Sequence, residues 1–232
     1  MQENNISDMR SAVLGESLLF GLLGKILYLD LDQAWLETLI REDVFSEVPF
    51  GEGQTETGHG LELLQRWTKE NQDGLALPQF KALQDDHLKL FVGLGKVIAP
   101  MWGSVYFSEK KLLFQEQTLQ VREWYARYGL QAERLNSEPD DNIGLEMLFV
   151  AHLASMALHA IEQDDQRALE EALQAQREFL SEHLLRWGPV WAKLVKEHAS
   201  TDFYRGIAHL THGAFLAAAE TLQIHMPKEA VL

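Results

Sequence analysis

Three carboxylates, Glu138, Asp140 and Asp141, fall within four residues, just ahead of an apolar run from 145 to 161. Residues of this type and spacing can do two kinds of chemistry. They can accept hydrogen bonds from the free N–H groups of a helix start, where Pro139 fits the first turn and negative charge suits the dipole. They can also pair with guanidinium groups brought by a partner, whose planar fork matches a carboxylate. One residue satisfies a helix terminus, so Glu138, Asp140 and Asp141, with Asn142 beside them, carry acidic groups beyond that need.

The second unusual stretch is apolar and aromatic: Pro100, Met101, Trp102, Gly103, Ser104, Val105 and Tyr106. Proline at its start and glycine inside it give poor helix propensity, so a loop or a short extended element is expected, with 104–107 the one candidate strand. Methionine and tryptophan together suit either a core or a groove that receives apolar side chains.

Other chemistry finds incomplete templates. Gly21 to Lys25 and Gly93 to Lys96 resemble fragments of a phosphate loop, but lack its glycine spacing and the hydroxyl residue after lysine. Ser104 lacks the glycine frame of a hydrolase elbow. His209 and His212 are three apart on one helical pattern, yet no carboxylate stands at a matching offset and no His-Glu-x-x-His occurs. His152 and His159 share a helical face and read as a core pair. There is no cysteine, which removes thiolate metal sites, disulfides and cysteine nucleophiles.

The elements that must position these residues are helices. Apolar residues recur at three- and four-residue steps over 7–28, 58–70, 78–92, 116–128, 140–162, 165–184, 188–198 and 201–225. A further helix capped by Asp32 carries Trp35, Leu36, Leu39 and Ile40. Gly129 should end the 116–128 helix in a left-handed cap. The six prolines all fall between these patterns. The expectation is an all-α fold of about nine helices in a single bundle-like domain, residues 1–232, with a connection at 129–139 able to act as a hinge.

A formal charge of −15 over 232 residues argues against nucleic acid and anionic membrane surfaces, and favours basic peptide partners. The apolar run 18–29 is entered by Glu16 and interrupted by Lys25, and 145–161 is broken by Glu146, His152 and His159, so neither reads as a signal peptide or a membrane span. A soluble, cytoplasmic protein without stable membrane insertion is expected.

Taken together, Leu90-Phe91-Val92-Gly93, Pro100 to Tyr106 with Leu113-Phe114, and Glu138-Pro139-Asp140-Asp141-Asn142-Ile143-Gly144 resemble the TorD/DmsD family of redox-enzyme maturation chaperones, nearer its DmsD side. His183-Leu184 with Trp187, and Phe203-Tyr204-Arg205, resemble the family's C-terminal pattern. The resemblance implies an all-α chaperone with no cofactor and no catalytic centre. It would bind the twin-arginine signal peptide and apoprotein of a molybdopterin-dependent reductase of the dimethyl sulfoxide or trimethylamine N-oxide type until the cofactor is inserted. It also implies peptide-binding roles for Leu90, Trp102, Asp141 and Asn142, with Pro100, Met101, Gly103, Ser104, Tyr106, Glu138 and Asp140 around them. Two departures stand out. Asn142 replaces the family's usual histidine, and Met101 and His87 replace a proline and an aromatic. The family includes monomers and domain-swapped dimers. From the residues alone, a metal-dependent all-α hydrolase using His209, His212 and the acidic turn is the alternative. A guanine-nucleotide switch is a third reading, without a complete phosphate loop to support it.

Overall fold

Two helices with long apolar windows pack against each other along their length. In this computed structural model α1 (Gln2–Tyr28) runs antiparallel to α7 (Ile143–Glu162): Arg10 pairs with Glu162 at 3.1 Å at one end, Ser17 with Ser155 at 2.8 Å midway, and Gly24 meets Gly144 at the other. A Cβ on Gly24 would stand 2.9 Å from the Gly144 carbonyl, and one on Gly144 only 2.7 Å from Tyr28, so glycine at both positions lets the backbones touch. Both helices are long and apolar enough to cross a membrane by length and composition, yet half or more of each apolar window is buried against protein. The structure describes residues 2–93, 97–107, 112–132 and 138–226, with side chains from residue 7 onward.

Around this pair lie α2 (Gln33–Arg41), α3 (Thr55–Glu70), α4 (Leu77–His87), α5 (Ser104–Phe107), α6 (Glu116–Arg127), α8 (Gln166–Phe179), α9 (Leu185–His198) and α10 (Asp202–Thr221). α4 continues as a π turn over Leu88–Val92, and a second π turn, Leu180–Leu184, joins α8 to α9. Counted as continuous runs, the described residues form nine helical segments. One contiguous apolar core draws on helices from α1 to α10, with Trp187, Trp191, Phe179, Phe203 and Phe215 among its largest fully buried side chains. The described residues hold no strand, only an isolated antiparallel bridge between Trp102 and Asn142. The all-α expectation is therefore met.

Three local expectations are corrected. Residues 104–107 form a helical turn, because the Asp141 carboxylate caps it at Ser104 N. α7 begins at Ile143 rather than at Asp140: Asn142 is its N-cap, its Oδ1 accepting from Gly144 N at 2.8 Å. Pro189 lies inside α9, not between helices. A proline there removes one backbone bond and costs about 3 kcal/mol. Burial of Leu184, Leu185, Trp187 and Trp191, none more than 1% exposed, outweighs that cost, and the π turn just upstream loosens the helix where it must adjust.

Gly129 does end α6 with φ 69°, and Leu130 N returns to the Tyr125 carbonyl at 2.9 Å, as a left-handed cap requires. Gly21 to Lys25 lie inside α1, in its last two turns, with no loop for a phosphate. Of the other fragment, residues 94–96 lie outside the described residues, as do 133–137 of the 129–139 connection.

Candidate functional site

The loop leading into α5 is stitched to the start of α7 by backbone bonds. Ile143 N donates to the Met101 carbonyl at 2.8 Å and Gly103 N to the Asp141 carbonyl at 2.9 Å. The aromatic stretch and the acidic turn thus form one ledge, although 36 residues separate Trp102 from Glu138.

Each acidic residue of the ledge has a distinct role. Asp141 is wholly buried, its Oδ2 accepting from Ser104 N at 2.5 Å and its Oδ1 from Thr118 Oγ1 at 2.8 Å. Asp140 is 1% exposed and holds Arg122 through Nη2 at 2.7 Å and Nε at 2.9 Å, while its carbonyl accepts from Tyr125 Oη at 3.0 Å. Glu138 is half-buried, and its Oε1 accepts from both Trp102 Nε1 and Asn142 Nδ2 at 3.0 Å. Asn142 therefore caps α7 with its oxygen and steadies Glu138 with its amide, two jobs an uncharged side chain can do at once.

The remaining sequence-named residues sit beneath this edge. Leu90 is fully buried, its carbonyl accepting from Ala99 N at 2.9 Å. Pro100, Met101, Gly103 and Ser104 are buried. The Tyr106 hydroxyl donates to the Pro100 carbonyl at 2.9 Å, and burial pushes that phenol far above its ordinary range. Its ring packs 5.1 Å from Trp187, whose indole N–H donates to buried Glu146 at 3.3 Å. Burial first, then the Asp141 charge, push the Glu146 carboxyl well up. A Cβ on Gly103 would lie 2.8 Å from Trp187 Nε1, so the ledge closes down only over glycine. Of the eleven residues named from sequence, Trp102 and Glu138 alone keep partial exposure.

Sequence reasoning named Glu146 and Trp187 without placing them at this site, and missed Thr118, Arg122 and Tyr125. A signal existed at two of these positions. Thr118 shares the buried face of α6 with Val121, Trp124 and Tyr125, and Glu146 interrupts an apolar run; a polar residue in such a place needs a partner.

The histidines are arranged differently from expectation. Glu56 on α3 supplies the carboxylate that sequence spacing did not offer, accepting from Lys196 Nζ at 2.8 Å and lying 2.6 Å from His209 Nδ1 and 3.2 Å from His212 Nδ1. Burial alone would push Glu56 up, but hydrogen bonds from Lys196 and His209 win and hold it at about 2. The Lys196 ammonium also sits 2.9 Å from His212 Nδ1, so a fixed cation stands among these groups. The described residues hold no cluster of three or more histidine, aspartate or glutamate side chains fit for a metal ion. His152 is half-buried and His159 exposed, so they are not the core pair expected. His87 meets Tyr204 Oη at 3.1 Å and packs on Phe91.

A family model described as "Nitrate reductase delta subunit" matches residues 53–193. The chain is similar to the Tat proofreading chaperone DmsD of Salmonella typhi, 31% identical over 122 residues, or 53% of each chain. It is similar to the chaperone protein TorD of Vibrio cholerae serotype O1, 35% identical over 128 residues, 55% of this chain and 56% of that one. A probable Tat proofreading chaperone DmsD of Haemophilus influenzae is 26% identical over 145 residues, 62% of this chain and 64% of that one. The chain thus spans about half the length of the first two relatives. The match reaches across the aromatic loop, the acidic turn and most of the core, and the chain belongs to the nitrate reductase delta subunit family and, within it, to the TorD/DmsD group.

Proposed function

We propose that this protein is a cytoplasmic, non-enzymatic chaperone that binds the twin-arginine signal peptide and apoprotein of a molybdopterin-dependent reductase and holds it until the cofactor is in place. The observation that carries the reading is the ledge itself. The segments that resemble the family's motifs are far apart in sequence, yet they interlock and leave an indole and a carboxylate at the edge. Among the described residues Glu138 receives two neutral donors, and a carboxylate so held keeps its charge for a guanidinium. The buried members of the named set, Leu90, Pro100, Met101, Gly103, Ser104, Tyr106, Asp140, Asp141 and Asn142, hold the edge in shape; Trp102 and Glu138 make the contact.

Isothermal titration of a synthetic twin-arginine peptide at low salt tests this. Saturable binding is expected, weakening with salt and falling roughly three- to tenfold in Trp102→Ala or Glu138→Gln, as one aromatic or charged contact is worth. Absence of binding for peptides from several reductases would overturn the proposal.

A further inference from the structure

A second surface has the composition of a two-part peptide site and is not used by the ledge. Between α6 and α8 lies a cavity of about 590 Å³ floored by Trp124, Tyr128 and Ala175 and rimmed on the α8 side by Glu170, Glu171 and Glu178. The Trp124 and Tyr128 rings are stacked within 7° of parallel with centroids 6.5 Å apart, so the floor is an aromatic platform of two parallel rings. Beyond Tyr128 the surface turns apolar. Tyr128 stands edge-on to Phe149 at 5.4 Å and to His152 at 6.4 Å, and two further cavities of about 260 and 400 Å³ meet at His152 along α7. Leu145, Leu148 and Met156 line them, with Leu130 at one end.

The chain shows what the aromatic platform accepts. Arg127, itself exposed, lays its guanidinium 4.9 Å above the centre of the Trp124 ring. Three glutamates line the cavity with this arginine, and with Glu171 paired to Arg167 one negative charge is left in excess. Their own contacts lie within α8, each to a residue one turn earlier: Glu170 with Gln166, Glu171 with Arg167 and Glu178 with Gln174. Exposed pairs of this kind contribute little and exchange readily. Burial, then the Glu178 charge, push the Tyr128 phenol up, Arg127 opposes them, and Glu171 adds a smaller push, so these charges act on the platform itself.

We propose that this α6–α7–α8 face is a second contact for the same client, reading an arginine on the Trp124 platform and the apolar run beside it along α7. The inference rests on the chaperone reading above. A twin-arginine signal joins guanidinium groups to an apolar stretch, and here an acidic aromatic pocket is joined to an apolar trough. From Leu145 to Ala160 the trough follows α7 for about 22 Å, room for six or seven extended residues. Arg127 occupies the place of the client's arginine and must be displaced for it to bind.

Fluorescence anisotropy with a labelled twin-arginine peptide, and its twin-lysine counterpart, tests the proposal on the full chain. Arg127→Ala should tighten the arginine peptide by roughly two- to fivefold, by freeing the platform. Glu171→Gln with Glu178→Gln should weaken it by roughly three- to tenfold and flatten its salt dependence. Met156→Glu should weaken both peptides alike. Unchanged affinity in all three variants, or weaker binding in Arg127→Ala, with the wild type still binding, overturns this site and leaves the chaperone reading intact. No binding by the wild type overturns both.

Discussion

Glu16 is a carboxyl in the wrong place for a charge, and replacing it should make the protein more stable. It lies in α1 at 2% exposure, with Oε2 3.4 Å from Gln176 Nε2 and Oε1 buried without a partner. The amide oxygen of Gln176 is likewise buried and unmatched. A protonated Glu16 can donate to that oxygen; an ionised one cannot. Burial therefore pushes the carboxyl up to about 7 from 4.5, against the smaller lowering by the Gln176 hydrogen bond. Because the folded-state value is raised, the native chain keeps a proton that unfolding releases. No penalty exists below about pH 4.5; it grows through the window from 4.5 to 7 and levels off above. A carboxyl raised from 4.5 to about 7 costs the folded state about 3 kcal/mol at pH 8. Glu16→Gln supplies the missing donor without a charge. Urea denaturation of both proteins from pH 4.5 to 8 should show near-equal stability at the acid end and a gap widening to about 3 kcal/mol at the alkaline end. In thermal melts that gap is roughly 6 to 12 °C for a chain of this size. Parallel pH profiles for the two proteins would refute the account.

Two further outcomes follow from the buried polar network. Asp141→Ala leaves Ser104 N and the Thr118 hydroxyl without their acceptor and should cost about 3 kcal/mol or more in urea denaturation, with Asp141→Asn in between. Glu56 has a depressed folded-state value, so its ion pairs stabilise the α3–α9–α10 junction above about pH 4.5, and that contribution is lost as pH falls toward 2. Glu56→Gln should remove that part of the acid sensitivity, seen by hydrogen exchange in α3 between pH 5 and 3.

The helices and their order were legible from periodicity, and so was the Gly129 cap, because both are local. What the sequence concealed was where the acidic turn sends its oxygens. Asp140 and Asp141 look like caps for the helix that follows them. They instead hold Arg122, Thr118 and Ser104, which lie 18, 23 and 37 residues earlier, and the capping falls to Asn142. Carboxylate partners that distant leave no trace in spacing. The same holds for Glu56, which reaches His209 from 153 residues away. Pro189 was misread for a related reason: local propensity ends a helix there, and the burial of Trp187 and Trp191 keeps it.

The seam between α1 and α7 has a consequence for how the protein is made. The apolar face of α1 is covered by a helix that begins 115 residues after α1 ends, at Ile143 against Tyr28. At about 5–20 residues per second, some 6 to 23 s of synthesis pass before that cover can form. During that interval α1 displays an apolar face with no α7 to cover it. Asp8, Arg10, Glu16 and Lys25 are the charges along residues 7–28 of that helix. Until α7 arrives, that face stays open to solvent and to any other apolar surface it meets.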